Sequence, residues 1–390
     1  RPADPSAGSR QLEYLEQEHM IIDGHAHAFP YISNQGAYAS EADHLHHIQR
    51  HMTTHPQGGR RFRDNGLATG PTLWDGKTPG FEGLLDVNFR VGPYGRFEWE
   101  KDGDAYYIQF FPVSLEVMEA RPERMLAQMQ YIGVDKAMLQ FAKMYGLTNE
   151  YLSDCVRRWP DKLRACTAVD EDQADQPAQI DSLRHAVRDL GLTALYFDCN
   201  GYGKSNYENH LDDAKYSPFW EEVQSLGIPV LWDIRVAVWR TSHPAYLDQV
   251  MRLRRLISRF PRIRHVLTHG MPGNAFNAAG EIPEDLWALL SEPTVTVEIL
   301  FPILYGSSWD YPYPQARPII RELYTRLGPT KFIWGSDMPN VERNCTYLQS
   351  LNYLRNYCPF IPASGMDMIL GSNADALYFS IAPAGITKQA

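Results

Sequence analysis

Two histidines stand one residue apart near the beginning of the chain, in the pentapeptide DGHAH at 23–27. Side chains alternate between the two faces of a β-strand, so His25 and His27 project from the same face and can bind one metal ion. Neutral imidazole suits Zn, Mn, Fe or Co, and such a site takes further ligands from other strands. The alternative is a pair of core histidines that hydrogen-bond to backbone carbonyl groups.

Two other polar residues directly follow apolar runs later in the chain. His269 lies in VLTHG (266–270), and Asp337 lies in WGSDMP (334–339). We expect both side chains at the carboxyl ends of strands, where an imidazole and a carboxylate can bind a metal or transfer protons. Polar groups at the ends of several strands favour a reaction centre over an isolated pair of core histidines.

Short apolar or β-branched runs recur along the chain and supply these strands. They lie at 20–24, 135–141, 163–169, 193–198, 228–234, 263–268, 294–300 and 331–336. Segments with helical spacing separate them, among them 115–132, 177–190, 216–226, 247–260 and 315–327. Strands that alternate with helices run parallel, and eight such units predict an α/β fold of the (β/α)8 barrel type. An open doubly wound sheet is the alternative, but its usual phosphate-binding motifs are absent from the sequence.

One long segment, 30–114, interrupts this alternation between the first strand and the helix near 115. In a barrel it is the first βα connection, which leaves the carboxyl face where active sites form. We expect a lid or subdomain over the site, with a β-hairpin near 97–111, although an oligomer contact is an alternative role. The predicted organisation is an N-terminal extension at 1–19 and one barrel domain at 20–385.

The inserted segment is rich in histidine and aromatic side chains. If 44–55 is helical, His44, His47 and His51 share one face, where we interpret them as polar lid residues rather than a second metal site. Its aromatic residues fit a planar unsaturated acid, and they would equally pack a small subdomain. They are Tyr38, Trp74, Phe81, Phe89, Tyr94, Phe97 and Trp99.

The motifs together resemble the amidohydrolase-2 group of the amidohydrolase superfamily, which contains aminocarboxymuconate-semialdehyde decarboxylase. The resemblance covers about residues 20–380 and rests on DGHAH, GIPVLWD, VLTHG and WGSDMP. It implies that His25, His27 and Asp337 bind a metal and that His269 acts beside it as the acid or base. It also implies one divalent ion, with zinc expected and Mn, Fe or Co as alternatives, and a homodimer.

The sequence departs from that group at the fifth strand, which usually ends in a metal-binding histidine and here ends in Asp233. A carboxylate ligates the same metals, so we expect Asp233 to be a ligand; alternatively it orients a water or a neighbouring histidine. Arg235 lies on the same face, where it can bind a substrate carboxylate or form a salt bridge at the rim. Arg343, in the loop after Asp337, is a second substrate-binding candidate. The fourth strand contains no lysine for a two-metal bridge.

One divalent ion beside His269 and Asp337 supports two kinds of reaction. In a decarboxylation, one of these residues protonates a ring carbon as carbon dioxide leaves. In a hydrolysis, one of them removes a proton from a water that attacks a C–N, lactone or C–C bond. The resemblance favours non-oxidative decarboxylation of a carboxylated aromatic or unsaturated ring-derived acid. A hydrolase is the alternative, and a barrel that has lost its chemistry and serves as a binding module is a third hypothesis.

Composition excludes several other classes of function. A net charge of −10 argues against binding to nucleic acid or to an anionic membrane, so a small-molecule substrate is expected. No apolar run is long enough to span a bilayer, and the amino end lacks the apolar core of a signal peptide. The five cysteines are scattered, as in reduced cytoplasmic proteins. We therefore expect a cytoplasmic enzyme, although residue 1 is not Met and a removed leader stays an open alternative.

Overall fold

A computed structural model describes residues 19–55, 57–78, 80–236, 242–271, 281–299 and 309–384. The strands in these ranges are β1 (Ile22–Ala26), β2 (Arg60–Arg61), β3 (Arg90–Val91), β4 (Arg96–Lys101), β5 (Asp104–Gln109), β6 (Lys136–Leu139), β7 (Leu163–Thr167), β8 (Ala194–Asp198), β9 (Val230–Asp233), β10 (His265–Leu267), β11 (Val295–Ile299) and β12 (Phe332–Trp334).

The α-helices in the same ranges are α1 (Glu41–Met52), α2 (Pro122–Ile132), α3 (Asn149–Arg158), α4 (Pro177–Arg188), α5 (Ser217–Leu226), α6 (His243–Arg259), α7 (Glu284–Ser291), α8 (Ala316–Leu327), α9 (Tyr347–Tyr357) and α10 (Ala363–Asp367). Two π-helical turns follow at Met368–Ser372 and Asp375–Phe379. A helix thus lies between each barrel strand and the next.

Eight of the strands form one parallel sheet in the order β1-β6-β7-β8-β9-β10-β11-β12. The sheet closes on itself because the segment after β12 pairs with the end of β1: the amide of His27 donates to Met338 O at 2.7 Å, and the amide of Asp337 donates to His25 O at 2.7 Å. This closure makes the sheet a barrel, and the predicted (β/α)8 fold is confirmed.

Each predicted run overlaps one barrel strand, although residue 300 of the seventh run lies outside the described residues. The largest difference concerns the helix predicted at 115–132, which begins only at Pro122. Proline fits the first turn of a helix, where its missing N–H costs nothing. The residues before it instead run beside the end of β1, where Phe29 and Ala120 exchange backbone hydrogen bonds of 2.8 and 3.0 Å.

The barrel strands are buried on both faces, as parallel strands covered by helices must be. Every residue of β1, β7 and β9 is buried. Charged side chains inside such strands are therefore exceptions that need a partner or a function. Asp23, His25, Asp233 and Glu298 are four of them, and each is at most 6% exposed.

The segment between β1 and α2 builds a second, antiparallel sheet in the order β2-β5-β4-β3. β4 and β5 form a hairpin whose turn residues, Asp102 and Gly103, both have positive φ, 54° and 81°. Asp-Gly favours such a two-residue turn because both positions require the left-handed region. The β-hairpin predicted near 97–111 is thus confirmed, and α1 precedes this sheet in the same segment.

None of the helices in the described ranges has the length and the apolar character that a membrane crossing requires. All five cysteines are free and buried. Burial raises the pKa of Cys166 and of Cys358, each to about 12, so their thiols stay protonated. The cysteines are therefore part of the core packing.

Candidate metal centre

Four predicted site residues meet at the carboxyl end of the barrel. Nε2 of His25 lies 3.1 Å from Nε2 of His27, and that atom lies 2.9 Å from Oδ1 of Asp337. Oδ1 of Asp337 is 3.7 Å from Nε2 of His25. All three residues are at most 5% exposed. The structure thus gathers the first and eighth strand ends around one point.

His269 reaches the same point from the end of β10. One possible ligand atom of each of His25, His269 and Asp337 lies within 4.8 Å of the other two. The rings of His25 and His269 meet edge to face, with their centres 5.0 Å apart. Nδ1 of His269 is buried and has no hydrogen-bond partner within the described residues. An unsatisfied buried nitrogen at this place is available to a metal ion or a substrate.

The hydrogen bonds at the Nδ1 atoms of His25 and His27 determine which ring nitrogens face the centre. Nδ1 of His27 lies 3.1 Å from Gln140 O, and a carbonyl oxygen only accepts, so Nδ1 carries the hydrogen. Nδ1 of His25 lies 2.7 Å from Oε2 of Glu298, which likewise accepts. Burial lowers the pKa of His25, but the charge and the hydrogen bond of Glu298 raise it to about 9, so a metal ion would have to displace the hydrogen on Nε2. Once the ring nitrogens facing the centre have lost their hydrogens, both Nε2 atoms present lone pairs to each other and to the Asp337 carboxylate. A divalent cation satisfies these converging lone pairs together, so the donor set fits a metal.

Glu298, in the middle of β11, is the residue that sequence reasoning missed. Its carboxylate accepts hydrogen bonds from Gln140 Nε2 at 2.8 Å, Thr268 Oγ1 at 2.9 Å and the amide of His269 at 3.0 Å, in addition to His25. Burial raises the pKa of Glu298, but the charge and hydrogen bond of His25 and the hydrogen bond from the His269 amide bring it below its ordinary value, so the carboxylate stays ionised. Glu298 therefore orients His25 and ties β10 to β1.

The backbone at two of the site residues is in an uncommon conformation. His269 has a φ of 61° and Asp337 a φ of 58°, in the left-handed region that non-glycine residues seldom occupy. Hydrogen bonds hold both: the His269 amide donates to Glu298, and the Asp337 amide donates to His25 O. Such strained positions cluster at functional sites, which supports a role for both residues.

The electrostatics of the centre leave Asp337 ionised and His269 neutral. Burial raises the pKa of Asp337, but the hydrogen bond with His27 and the positive charge of His25 hold it well below its ordinary value. Burial, aided by the charge of Arg235, lowers the pKa of His269 to about 4. At neutral pH both groups can accept a proton or bind a cation.

Asp233 lies at the end of β9 but is engaged by Arg235. Nε of Arg235 donates to Oδ1 of Asp233 at 2.8 Å, and Nη2 donates to Oδ2 at 2.6 Å. Burial raises the pKa of Asp233, but Arg235 lowers it to about 2. Oδ2 is 3.7 Å from Nδ1 of His269. This geometry places Asp233 in a salt bridge at the rim, with a histidine beside it, and ligation of a metal by Asp233 stays a prediction.

A cavity of about 1280 Å³ opens at the centre and contains its four residues in the wall. Part of the wall is aromatic, from Phe110, Phe141 and Tyr145. The inserted segment contributes residues of α1 and the end of β5, and the predicted substrate-binding residues Arg235 and Arg343 also line the cavity. Small-molecule sites usually have volumes of about 300–1,000 Å³. This cavity is larger than that, so its volume is sufficient for a single-ring acid.

The lid histidines are accounted for by other contacts. The ring of His44 is fully buried, with Nδ1 2.7 Å from Asn34 O and Nε2 3.0 Å from Met144 O. His47 packs between the rings of Tyr38 and Phe81 at 4.6 and 4.7 Å. Within the described ranges, no second group of three metal-binding side chains forms. The interpretation of these residues as part of the lid is the one that fits.

Comparison with protein families places this fold and site in a known class. The model of the amidohydrolase family matches residues 22–379, which is most of the chain. The chain therefore belongs to the amidohydrolase family, as the resemblance of its motifs predicted. Members of this family include decarboxylases and hydrolases. No curated protein matches the sequence at a significant level.

Solved structures with the same fold are distant in sequence. The 5-carboxyvanillate decarboxylase of Sphingomonas paucimobilis is 17% identical, with a TM-score of 0.50, over 69% of this chain and 86% of its own. A probable 2-pyrone-4,6-dicarboxylic acid hydrolase of Acinetobacter baumannii, solved with citric acid bound, is 16% identical, with a TM-score of 0.51, over 68% of this chain and 91% of its own. At such identities the likeness concerns the fold.

Proposed function

We propose that this protein is a metal-dependent decarboxylase of a carboxylated aromatic or unsaturated ring acid. The observation that carries the proposal is the convergence of the Nε2 lone pairs of His25 and His27 on the carboxylate of Asp337, beside the aromatic wall of the cavity. His269 completes this donor set or acts next to it. Membership of the amidohydrolase family and the likeness to a decarboxylase of a carboxylated phenol support it.

A bound divalent ion would supply positive charge that stabilises a substrate carboxylate or an adjacent hydroxyl oxygen. His25, His27 and Asp337 would hold it, and Glu298 fixes the direction in which His25 points. Zinc, manganese, iron and cobalt all accept such nitrogen and oxygen ligands. The carboxylate of Asp233 already accepts two hydrogen bonds from the side chain of Arg235, so we propose His269 as the further ligand or proton-transfer group.

The proton needed for decarboxylation follows from the protonation states of the site. The reaction replaces the carboxyl group with hydrogen: the bond to carbon dioxide breaks, and its electron pair forms the new C–H bond with a proton. Asp337 is ionised and His269 is neutral, so one of them must first take a proton. A substrate hydroxyl group next to the carboxylate can supply it. The same residue then returns this proton to the ring carbon.

Hydrolysis is the second candidate, and one observation favours it. Both proton-transfer residues are in their basic forms at neutral pH, which suits the removal of a proton from water. The likeness to a probable pyrone dicarboxylic acid hydrolase, whose substrate is a cyclic ester with carboxylates, points to the same chemistry. Lactones of carboxylated rings are therefore the hydrolytic substrates to test.

We also propose that residues 30–114 cover the active site. Residues of α1, including His47, Arg50 and His51, line the cavity together with Phe110 from the end of the antiparallel sheet. A wall that comes from an inserted segment can exclude water from the reaction and select the substrate. The cover would therefore act on specificity more than on the proton-transfer step.

Isotope labels distinguish the two reactions. Purified protein loaded with zinc or manganese is incubated with hydroxybenzoic acids and with carboxylated lactones, in D2O and separately in water enriched in oxygen-18. Decarboxylation places one deuterium on the ring carbon and no oxygen-18 in the ring product. Hydrolysis places one oxygen-18 in the product.

The control is a His25→Ala, His27→Ala double variant, whose metal content is measured alongside turnover. We expect about one equivalent of metal in the wild type and loss of both metal and turnover in the variant. A wild-type protein that binds no metal after supplementation and turns over no member of the panel would contradict the proposal and favour a binding module.

A further inference from the structure

Five cationic side chains line the cavity, and three of them are paired with a carboxylate. Lys143 pairs with Glu171, Lys204 with Asp170 at 2.6 Å, and Arg235 with Asp233 at 2.6 Å. These pairs neutralise their positive charges within the protein. The other two cations are Arg50 and Arg343, and neither has a carboxylate at salt-bridge distance within the described residues.

Arg343 is held in place by neutral groups. Nε donates to Asn340 O at 3.2 Å, and Nη1 donates to Phe110 O at 2.9 Å. The guanidinium carbon lies 5.7 Å from the centre of the Phe110 ring. The two carbonyl groups fix its orientation without cancelling its charge, since each is a dipole and not an anion. A guanidinium that is already oriented loses little further freedom when it binds a ligand.

Arg343 is half-buried in the wall of the cavity, where its charge is only partly hydrated. Burial lowers the pKa of Arg343, and the charge of Asp337 only partly opposes that effect. Buried cations in proteins are usually paired, because removing a charge from water is expensive unless an opposite charge replaces the lost hydration. A ligand anion in the cavity would provide that compensation.

Arg343 is also tied to the reaction centre through one short connection. The backbone carbonyl of Asn340 accepts the hydrogen bond from Arg343. The side-chain Nδ2 of the same residue donates to Oδ1 of Asp337 at 2.8 Å and to the hydroxyl of Tyr145 at 2.7 Å. The Tyr145 ring in turn contacts the ring of His27, with 5.0 Å between their centres. An anion on Arg343 would therefore lie beside the metal centre.

We propose that Arg343 binds a carboxylate of the substrate and makes the enzyme selective for anionic ring acids. The inference rests on the proposed function and adds the residue that recognises the charge of the substrate. Arg235 is the less suitable candidate, because a substrate carboxylate would have to displace Asp233 from both of its hydrogen bonds. A planar fork such as that of Arg343 binds a carboxylate through two parallel hydrogen bonds.

The experiment measures binding, so that it does not depend on turnover. Isothermal titration calorimetry is performed on the zinc-loaded protein with salicylate and with its uncharged counterpart, salicylamide. We expect Arg343→Gln to weaken salicylate binding about 10- to 100-fold, because a charge-assisted hydrogen-bonded pair is lost, and to leave salicylamide binding unchanged. Arg343→Lys, which keeps the charge but not the fork, should fall between the wild type and the glutamine variant.

Two matched variants serve as controls. Lys204→Gln removes a cavity charge that Asp170 already neutralises, and should change neither affinity by more than about twofold. Arg50→Gln removes the other cation without a carboxylate, which lies over the Phe81 ring in the inserted segment at 4.9 Å. Metal content and thermal midpoint are measured for every variant, so that misfolding is recognised.

Three results would overturn the proposal: equal salicylate affinity in Arg343→Gln and wild type, equal losses for salicylate and salicylamide, or a loss confined to Arg50→Gln. Absence of salicylate and benzoate binding to the wild type at millimolar concentration would overturn it as well. Failure of the proposed decarboxylation is a separate outcome. The isotope labels detect that failure, whereas calorimetry measures the binding of carboxylates by Arg343 without any turnover.

Discussion

The ends of β9 and β12 place an aspartate at equivalent positions of the barrel, yet the two carboxylates have different surroundings. Asp233 is held by the guanidinium of Arg235, and Asp337 is surrounded by the imidazoles of His25, His27 and His269. Both lie in a buried setting, and both have a lowered pKa. The direction of the pKa shift therefore does not distinguish them.

The kind of neighbouring cationic group distinguishes Asp233 from Asp337. An arginine keeps its proton at any accessible pH, so a metal bound to Asp233 would share the carboxylate with a permanent positive charge, which weakens the attraction for the metal. A histidine can lose its proton and become a ligand itself, so the partners of Asp337 can bind the same ion. A carboxylate at a strand end is thus a good metal ligand where its neighbours can also give up protons.

The largest expected effect is a loss of metal affinity when the Asp337 carboxylate is removed, compared with removal of the Asp233 carboxylate. We expect Asp337→Asn to lower metal affinity more than about 100-fold, because even partners that only orient a ligand contribute 10- to 100-fold. Asp233→Asn combined with Arg235→Gln, which removes both charges of the salt bridge, should retain a metal affinity close to that of the wild type. Competition with a chromophoric chelator measures both. The comparison fails if the double variant loses the metal and Asp337→Asn keeps it.

A smaller effect is expected at Glu298, which supports the histidine side of the centre. Glu298→Gln keeps the shape of the side chain but removes the charge that orients His25. We expect metal affinity to fall about 10- to 100-fold, with the stoichiometry at saturating metal unchanged. The same chelator competition and the metal content after dialysis measure it. An unchanged affinity would mean that Thr268, whose Oγ1 lies 3.2 Å from Nδ1 of His25, is sufficient to fix the ring.

The smallest expected effect is a pH-dependent loss of folding stability at His265, whose ring contacts Trp232 of β9. Burial lowers the pKa of His265 to about 3, and its Nδ1 accepts the indole N–H of Trp232 at 3.0 Å. The unfolded chain binds this proton near pH 6.5, so the stability that the neutral ring contributes is complete above pH 6.5 and is lost as pH falls towards 3. Between pH 6.5 and 5 the loss is about 2 kcal/mol.

Urea unfolding at pH 7 and at pH 5 tests this expectation. His265→Gln keeps an acceptor for the Trp232 indole but cannot be protonated, so its stability should fall less between the two pH values than that of the wild type. Equal pH dependence in the two proteins would show that His265 does not contribute to acid sensitivity.

The sequence allowed the barrel and the strand ends to be predicted because both follow from local patterns. Apolar runs at regular intervals locate the strands, and the polar residue that ends each run must then lie on the carboxyl face. His25, His269 and Asp337 were found in this way, and the structure brings them together. Their roles as ligand, acid or base depend on contacts that no local pattern contains.

The remaining features depend on distances between segments far apart in the chain. Glu298 precedes the end of its apolar run, so the rule of polar strand ends passes over it, although a charge inside a buried strand is itself a signal. The pairing of Asp233 with Arg235 was one of two alternatives, and alternation of side chains could not choose between a salt bridge and an open ligand. That Arg343 has no carboxylate at salt-bridge distance within the described ranges could be learned only from its neighbours in space.

The contacts of His44 connect the inserted segment to the reaction centre. Its ring lies between two carbonyl groups, with Nδ1 2.7 Å from Asn34 O and Nε2 3.0 Å from Met144 O. Met144 is followed in the chain by Tyr145, which contacts His27 and accepts from Asn340. A displacement of α1 that preserves these hydrogen bonds also displaces the tyrosine. The position of α1 is thereby coupled to that of a side chain that contacts His27 and Asn340 next to Asp337.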